Sequence, residues 1–587
     1  MSLPLEIPPG ILKVDSPNAG KGRFTDSDKI RFENGFAEKW AGWELFSDTQ
    51  LEGKVRGATF WTNQYGNPNA AFGTTVRLYA LTGTDTITDI TPIRDSGTLG
   101  NDPFSTTNAS TVVTVTDTSH AASAGDYVTF DGATAVGGIT IDGQYQIVTI
   151  VDANSYTITH SSPATSTATG GGASVTYAYN IANGSESSTA GLGWGSGRWG
   201  EGTWGTERTD GITLALRHWS LAPYGNDLLA VPSGGSLYLW QEATDPVAEK
   251  VTNAPASIKS MFVTGERFIF LLGTITPMTV QWPDRDDITD YTPSSSNTAN
   301  SRVLQEGSVL VAGTALTDGV SLVWSDTATY LFQYTGSEFI YDSRMIAKNS
   351  GLIGPLAFTV AQGTAYWMSS SEFYMFNGSV VQVPRSDEIK EYVFRNLDQT
   401  FADKSWVLYD ETTNQVRFHY CSSGSVEPNR YVDVNLDGTY DWTVGTLART
   451  CGTQFEEGVK STLLVSSDGY IYQHGVGTDA DGAAMEAYIT YGLYAIANGD
   501  ANVDIMGLIP DMTRQTGDVT YELYTRERPN SSSNFDSKTL TLSETTEIED
   551  ARLEGRHFGM TIRSNVVGGD FRLGIPKLEI QQSGERR

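Results

Sequence analysis

The stretch Asp433-Val434-Asn435-Leu436-Asp437-Gly438-Thr439-Tyr440-Asp441 places oxygen ligands at positions 1, 3, 5 and 9, with a glycine at position 6. A hard cation takes such a set, because the glycine permits the sharp turn that aims several oxygens at one point. Asp433, Asn435, Asp437 and Asp441 are therefore candidate calcium ligands, and Ca2+ is the one cofactor the sequence admits. Where an EF-hand would carry Glu, twelve residues from the start, this chain has Val444. The same residues also read as a Leu-Asp-Gly hairpin turn. A second acid cluster, Asp284, Asp286 and Asp287, follows Trp282 and reads first as a solvated turn rather than a glycosidase pair. His120, His160, His218, His419, His474 and His557 have no metal spacing. No Gly-x-Ser-x-Gly elbow, zinc-protease pattern or phosphate loop is present. No catalytic residues are assigned, and the chain is read as a non-enzyme.

The stretch 191–205, GLGWGSGRWGEGTWG, repeats Trp194, Trp199 and Trp204 every fifth residue between glycines. That spacing fits neither a helix nor one face of a strand, so a loop carrying three large apolar anchors is expected. Exposed, they form an interface patch; folded back, they form a local core. Cys421 and Cys451 are too few for a disulfide framework and lack CxxC spacing, so buried thiols are expected rather than a bridge.

The elements that carry these residues are β throughout. Short runs of Val, Thr, Tyr and Phe alternate with Gly, Asp, Asn and Ser clusters. One helix is expected after Pro384, with Ser386 as its cap and Ile389, Tyr392, Val393 and Leu397 on its inner face. A bulky-Tyr-x-bulky motif recurs around Tyr79, Tyr238, Tyr330, Tyr374 and Tyr472. Thr329 to Phe373 is 44 residues, while Leu237 to Thr329 is 92 and Phe373 to Ile471 is 98, each near two such periods. Met278–Trp282 and Gln415–Tyr420 can fill the gaps. A period in the forties built of short strands marks β-propeller blades; a long β-sandwich in which Tyr simply favours strands is the alternative.

The expected fold is thus an all-β propeller of six or seven blades. An N-terminal segment covers 1–50 and a first propeller part 51–107. A small β-sandwich or barrel module is inserted at 108–178, with 161–172 as a flexible hairpin at its far edge. The remaining propeller spans 179–478, and a C-terminal β domain spans 479–587.

The chain has 587 residues, with 39 Lys and Arg against 69 Asp and Glu, a formal charge of −30. Aromatics at 11% exclude a disordered polyanion, and the negative balance argues against a sticky nucleic-acid binder, which needs cations to displace counterions. The start, MSLPLEIPPGILK, has no basic region before an apolar core, so folding in the cytoplasm is expected.

Several segments, in order, resemble the tail nozzle, tail tubular B and packaged-DNA stabilisation proteins of short-tailed phages. They are Lys29 to Phe36 (KIRFENGF) with Lys39-Trp40 and Gly42-Trp43, and the Gly-Trp loop leading to Trp219-Ser220-Leu221 and Tyr224 to Ala230. Next come Asn414 to Cys421, Arg430-Tyr431, Trp442-Thr443 and Leu447 to Thr450, and finally Gly555 to Met560 with Phe571 to Gly574. The resemblance spans most of the chain outside the insertion. It implies a virion protein, assembled in the host cytoplasm, six copies of which form a distal tail tube below an adaptor ring. Its partners would be itself, the adaptor ring, tail fibres or spikes, exiting double-stranded DNA in transit, and the host cell surface. Six copies would carry about −180 before counterions, screened beyond about 8 Å at physiological salt. Acid-rich, Lys/Arg-poor loops are expected to face the lumen. A host-surface adhesin, or a tail polysaccharide depolymerase, is the alternative.

Overall fold

The computed structural model describes residues 2–13, 20, 22–83, 85–188, 215–317, 319–337, 340–499 and 501–584. Among the described residues seven four-stranded antiparallel sheets form a ring, so the fold is an all-β propeller, with seven blades described. Their first strands are Val55–Thr62, Trp219–Tyr224, Ser260–Val263, Leu310–Ala315, Phe358–Ala361, Trp406–Asp410 and Cys451–Glu457. These are numbered blades 1 to 7. The ring closes where the first strand of blade 7 lies against the first two strands of blade 1. Blade 7 draws three strands from its own segment and its fourth, Trp43–Leu45, from the N-terminus, in the register His474↔Trp43 and Tyr472↔Leu45.

The tyrosine repeat has a structural cause. Tyr79, Tyr238, Tyr330, Tyr374 and Tyr472 all lie in the third strand of their blades, 1, 2, 4, 5 and 7. In three blades the hydroxyl reaches back to the connection entering the same blade. Tyr79 Oη accepts from the Glu52 amide at 3.2 Å, Tyr330 Oη bonds the Glu306 amide and carbonyl at 2.6 and 2.9 Å, and Tyr374 Oη donates to the Asn349 carbonyl at 3.3 Å. The gap-filling run Thr279–Trp282 is the third strand of blade 3, but Gln415–Tyr420 is the second strand of blade 6. Close packing between blades also explains a glycine: a Cβ at Gly73 would stand 2.2 Å from the Trp219 ring, which fills the blade 1–2 boundary.

The N-terminal segment does not stand apart. Ser2–Pro4 pairs with Lys577–Gly584, Phe24–Asp28 with Ala487–Ala495, and Phe36–Lys39 with Asp570–Leu573, completing three sheets of the C-terminal β unit. Buried Glu38 fixes this interleaving, with Arg31 at 2.6 Å, Arg514 at 3.3 Å and Arg572 at 3.8 Å. One continuous apolar core runs from this unit into blades 4 to 6.

The inserted module is an eight-stranded sheet that begins at Ile93 and ends at Asn180, earlier than composition suggests, because its first strands, Ile93–Thr98 and Phe104–Thr106, lack the Thr/Val bias. The segment read as a hairpin supplies Ala168–Gly170, an edge strand paired with Phe104–Thr106. The module has its own core around Phe104, Phe130, Ile147 and Tyr156. Ile93 and Asn180 are paired, so the chain enters and leaves at one point. Arg77 fastens it to blade 1, donating to Gln144 at 2.7 Å and lying 4.4 Å over the Tyr127 ring. Replacing residues 94–179 with a short Gly-Ser linker is therefore expected to leave the propeller folded, its melting temperature within about 3 °C of the full chain. Circular dichroism and thermal melting check this.

The expected helix is present as Lys390–Asn396 after a 3-10 turn at Ser386–Glu388. Ser386 does not cap it: the residue is buried in the preceding turn, where its hydroxyl donates to Glu372 at 3.2 Å.

Candidate functional site

The candidate calcium ligands do not converge. Asp433 sits mid-strand in blade 6, fully buried, and its carboxylate is held by Arg417 at 2.8 and 3.2 Å. Asn435 donates to the Phe32 carbonyl at 2.8 Å, and Asp437 caps the turn through the Thr439 amide at 2.9 Å and hydroxyl at 2.7 Å. Asp441 accepts from Thr439 at 2.6 Å and pairs with Arg385. The sequence spacing is that of a hairpin whose oxygens are spent on neighbours, and strand alternation turns Asp433 away from the turn. Among the described residues no group of three or more His, Cys, Asp or Glu side chains could hold a metal ion.

The Asp284 cluster is likewise a turn. Asp284 accepts from the Thr298 amide at 2.9 Å, and Asp287 from the Thr289 amide at 2.9 Å and hydroxyl at 2.6 Å. The Thr298 hydroxyl holds the Asp284 carboxyl below its ordinary range. Asp286 points to solvent. Cys421 and Cys451 are free and buried, and burial pushes each thiol up to about 12. Trp194, Trp199 and Trp204 lie outside the described residues.

On the propeller axis is a cavity of about 430 Å³ lined by the first strands of all seven blades, among them Ser220, Phe262, Thr314, Phe358, Leu408 and Gln454. The lining residues include no Asp, Glu, Lys, Arg or His. Cys451, its one ionisable side chain, stays a thiol at neutral pH. This site offers neither a general acid–base pair nor a charge for a charged substrate. Its volume suits a small molecule, not a nucleic-acid duplex.

Charge is concentrated instead at the seam where the N-terminal chain passes between blades 6 and 7. The Arg417 guanidinium lies 3.8 Å from the Trp40 ring centre, and Trp40 stacks on Tyr431 at 4.6 Å. His419 stacks on Trp406 at 3.9 Å, with neither ring nitrogen bonded. Arg449 donates to His474 at 3.3 Å and lies 4.5 Å over Tyr472. Burial, with the Arg417 and Arg449 charges adding to it, holds both imidazoles well below their usual value. Burial lowers Arg449 to about 10 and raises Asp433 to about 6, so at neutral pH the Arg417–Asp433 pair is ionised on both sides. Sequence reading missed this cluster because its members come from residues 40, 417–419, 431–433, 449 and 474, with no local pattern. The sole local hint was Arg417 and His419 on one face of a strand.

No protein-family model and no curated protein matches the chain. Among solved structures, similarity is found to PorZ, a surface component of the type-IX secretion system of Porphyromonas gingivalis (10% identity, TM-score 0.32, 93% of this chain and 86% of that one). It is also found to the extracellular domain of the hybrid two-component system BT3049 of Bacteroides thetaiotaomicron (10% identity, TM-score 0.32, 91% and 75%). A third is the phage phi92 endosialidase (11% identity, TM-score 0.17, 83% and 64%). Likeness at this level says nothing about activity.

Proposed function

We propose that the chain is a structural subunit of the tail nozzle of a short-tailed phage, a ring of copies, six by the family resemblance, that retains packaged DNA and releases it on infection. The observation that carries this reading is where the charges lie. Lys39, Arg56, Arg77, Lys404, Arg417 and Arg449 are all buried. Further cations, such as Arg31, Arg385 and Arg563, are tied to carboxylates. With many cations buried or paired and a formal charge of −30, the balance left for the surface is acidic, which would favour passage of DNA without adhesion. Since the axial cavity of one propeller is too small for a duplex, the DNA path runs between copies. Static light scattering of the purified chain, alone and with its adaptor ring, tests the assembly. A closed oligomer under either condition is expected; a monomer under both would refute the reading.

A second reading, a host-surface adhesin, draws on the inserted module. Thr149, Thr157, Thr114, Ser105 and Thr169 stand in register across five strands. This row of hydroxyls is uncharged on a strongly acidic chain. Binding of the isolated 93–180 module to host cells, absent for the rest of the chain, would favour it.

A further inference from the structure

The fourth strand of blade 7, Trp43–Leu45, is three residues long and comes from the N-terminal segment. Opposite Trp43 in the register stands His474, 6% exposed, whose ring stacks on the indole at 5.0 Å. The same indole covers Arg449, whose guanidinium lies 5.3 Å from its ring centre. One side chain of a short edge strand therefore covers both groups. Arg449 Nε donates to His474 Nε2 at 3.3 Å. A guanidinium can only donate, so Nε2 is the bare nitrogen of a neutral ring with its proton on Nδ1. A proton added at Nε2 sets two N–H groups against each other and places a second positive charge beside the first.

The charges around the ring do not offset that proton. Arg449, with Arg417 and His419 of blade 6, opposes it. Arg31 and Asp410 line, with His474, a cavity of about 220 Å³ that opens to solvent beside Ala41 and Gly475. Arg31 is paired with Glu38 and Glu33, and Asp410 Oδ1 accepts from the Thr412 amide at 3.0 Å and hydroxyl at 2.6 Å. Tyr472, on the strand of His474, lies under Arg449 at 4.5 Å. On the N-terminal side Glu44 is exposed, Asp481 accepts from the Leu45 amide at 3.1 Å, and Asp479 accepts from the Gly568 amide at 2.6 Å. Among the described residues no carboxylate bonds the ring.

We propose that Trp43–Leu45 is an acid-released latch: a solvent proton taken up at His474 Nε2 breaks the bond from Arg449 and expels the strand, leaving blade 7 with three strands. With the strand gone, His474 regains an ordinary value of about 6.5. In the closed seam, burial and the two guanidiniums hold it well below that. The open form therefore binds the extra proton. The strand is fully held above about pH 6.5, and its opening constant rises about tenfold for each pH unit below. His419 is covered by Trp406 rather than by the latch, so one proton sets the slope. The device does not depend on the nozzle reading, since a single copy of the chain contains all of it.

The test is hydrogen–deuterium exchange of the full chain, read by mass spectrometry between about pH 7.5 and about pH 5 and corrected for the intrinsic pH dependence of exchange. Peptides spanning 42–46 are expected to lose protection about tenfold per pH unit below about 6.5, while the first strands of blades 3 to 5 stay more strongly protected throughout. In His474→Gln, whose amide oxygen still accepts from Arg449 but does not titrate, the slope is expected to vanish. In His419→Phe it is expected to persist. Thermal melting confirms that each variant is folded; should His474→Gln fail to fold, His474→Phe, which keeps the stack on Trp43, carries the comparison. Protection of 42–46 that does not change with pH in the natural chain would overturn the proposal. So would an unchanged slope in a folded His474 variant, or exchange of 42–46 in step with the blade 3 to 5 strands.

Discussion

Replacing Arg417 with alanine is expected to lower the unfolding free energy by about 3–5 kcal/mol, the cost of leaving a buried carboxylate without its partner. Arg417 and Asp433 are both buried and joined by two hydrogen bonds. The guanidinium also covers the Trp40 ring, so alanine opens a gap where the N-terminal chain crosses from the C-terminal unit to blade 7. The double variant Arg417→Met/Asp433→Leu removes both charges while filling the space, and is expected to fall within about 1 kcal/mol of the natural chain, because desolvating an ion pair offsets most of its attraction. Urea unfolding followed by tryptophan fluorescence distinguishes the two. A single variant that loses less than the double variant would show that the pair is not what holds the seam.

Acidification is expected to weaken the fold before ordinary carboxylates titrate. His218, His419 and His474 are buried and neutral, with His218 lowered to about 4 by burial and the other two well below the usual value. A folded-state value below the unfolded one means that the unfolded chain binds the extra proton. Their stabilisation is therefore complete above about pH 6.5 and is lost as the pH falls below it. Each imidazole costs about 1.4 kcal/mol per pH unit, or about 6 kcal/mol for the three by pH 5. Asp433 works in the opposite sense: its carboxyl is raised to about 6, so the folded chain takes up that proton first and recovers about 1 kcal/mol over the same interval. The net loss is about 5 kcal/mol between pH 7.5 and pH 5. His419→Phe preserves the stack on Trp406, removes two unbonded nitrogens, and is expected to remove about a third of the slope. A pH-independent urea midpoint across this range would contradict the assignment.

The propeller was legible because its blades repeat a physical need. In blades 1, 4 and 5 a tyrosine in the third strand ties down the connection entering its blade, and blades 2 and 7 keep a tyrosine in the same strand, so the period survives in sequence. Blade 6 escaped because the corresponding strand, Arg430–Asn435, carries Tyr431 without the flanking bulky pattern, and that hydroxyl accepts instead from the Lys29 amide at 2.9 Å. Strands of the C-terminal unit near 519–524, 538–542, 557–562 and 577–580 were readable from local alternation. Their pairing with residues 2–39 was not, since sheet partners more than 450 residues apart leave no local period. The Asp433 loop misled for a related reason. Spacing reports which oxygens are near in sequence, whereas strand alternation and a guanidinium from the neighbouring strand decide where Asp433 points. The seam cluster was invisible because it draws on five separate segments.

The proposed nozzle role requires that copies of this chain surround a DNA path lined by acids. A cryo-electron microscopy map of the assembly, bound to its adaptor ring, tests it most directly. A closed ring is expected, its lumen wide enough for duplex DNA and rimmed by Asp and Glu, with Lys and Arg buried or paired. A lumen lined by unpaired Lys and Arg, or an assembly with no continuous lumen, would contradict it.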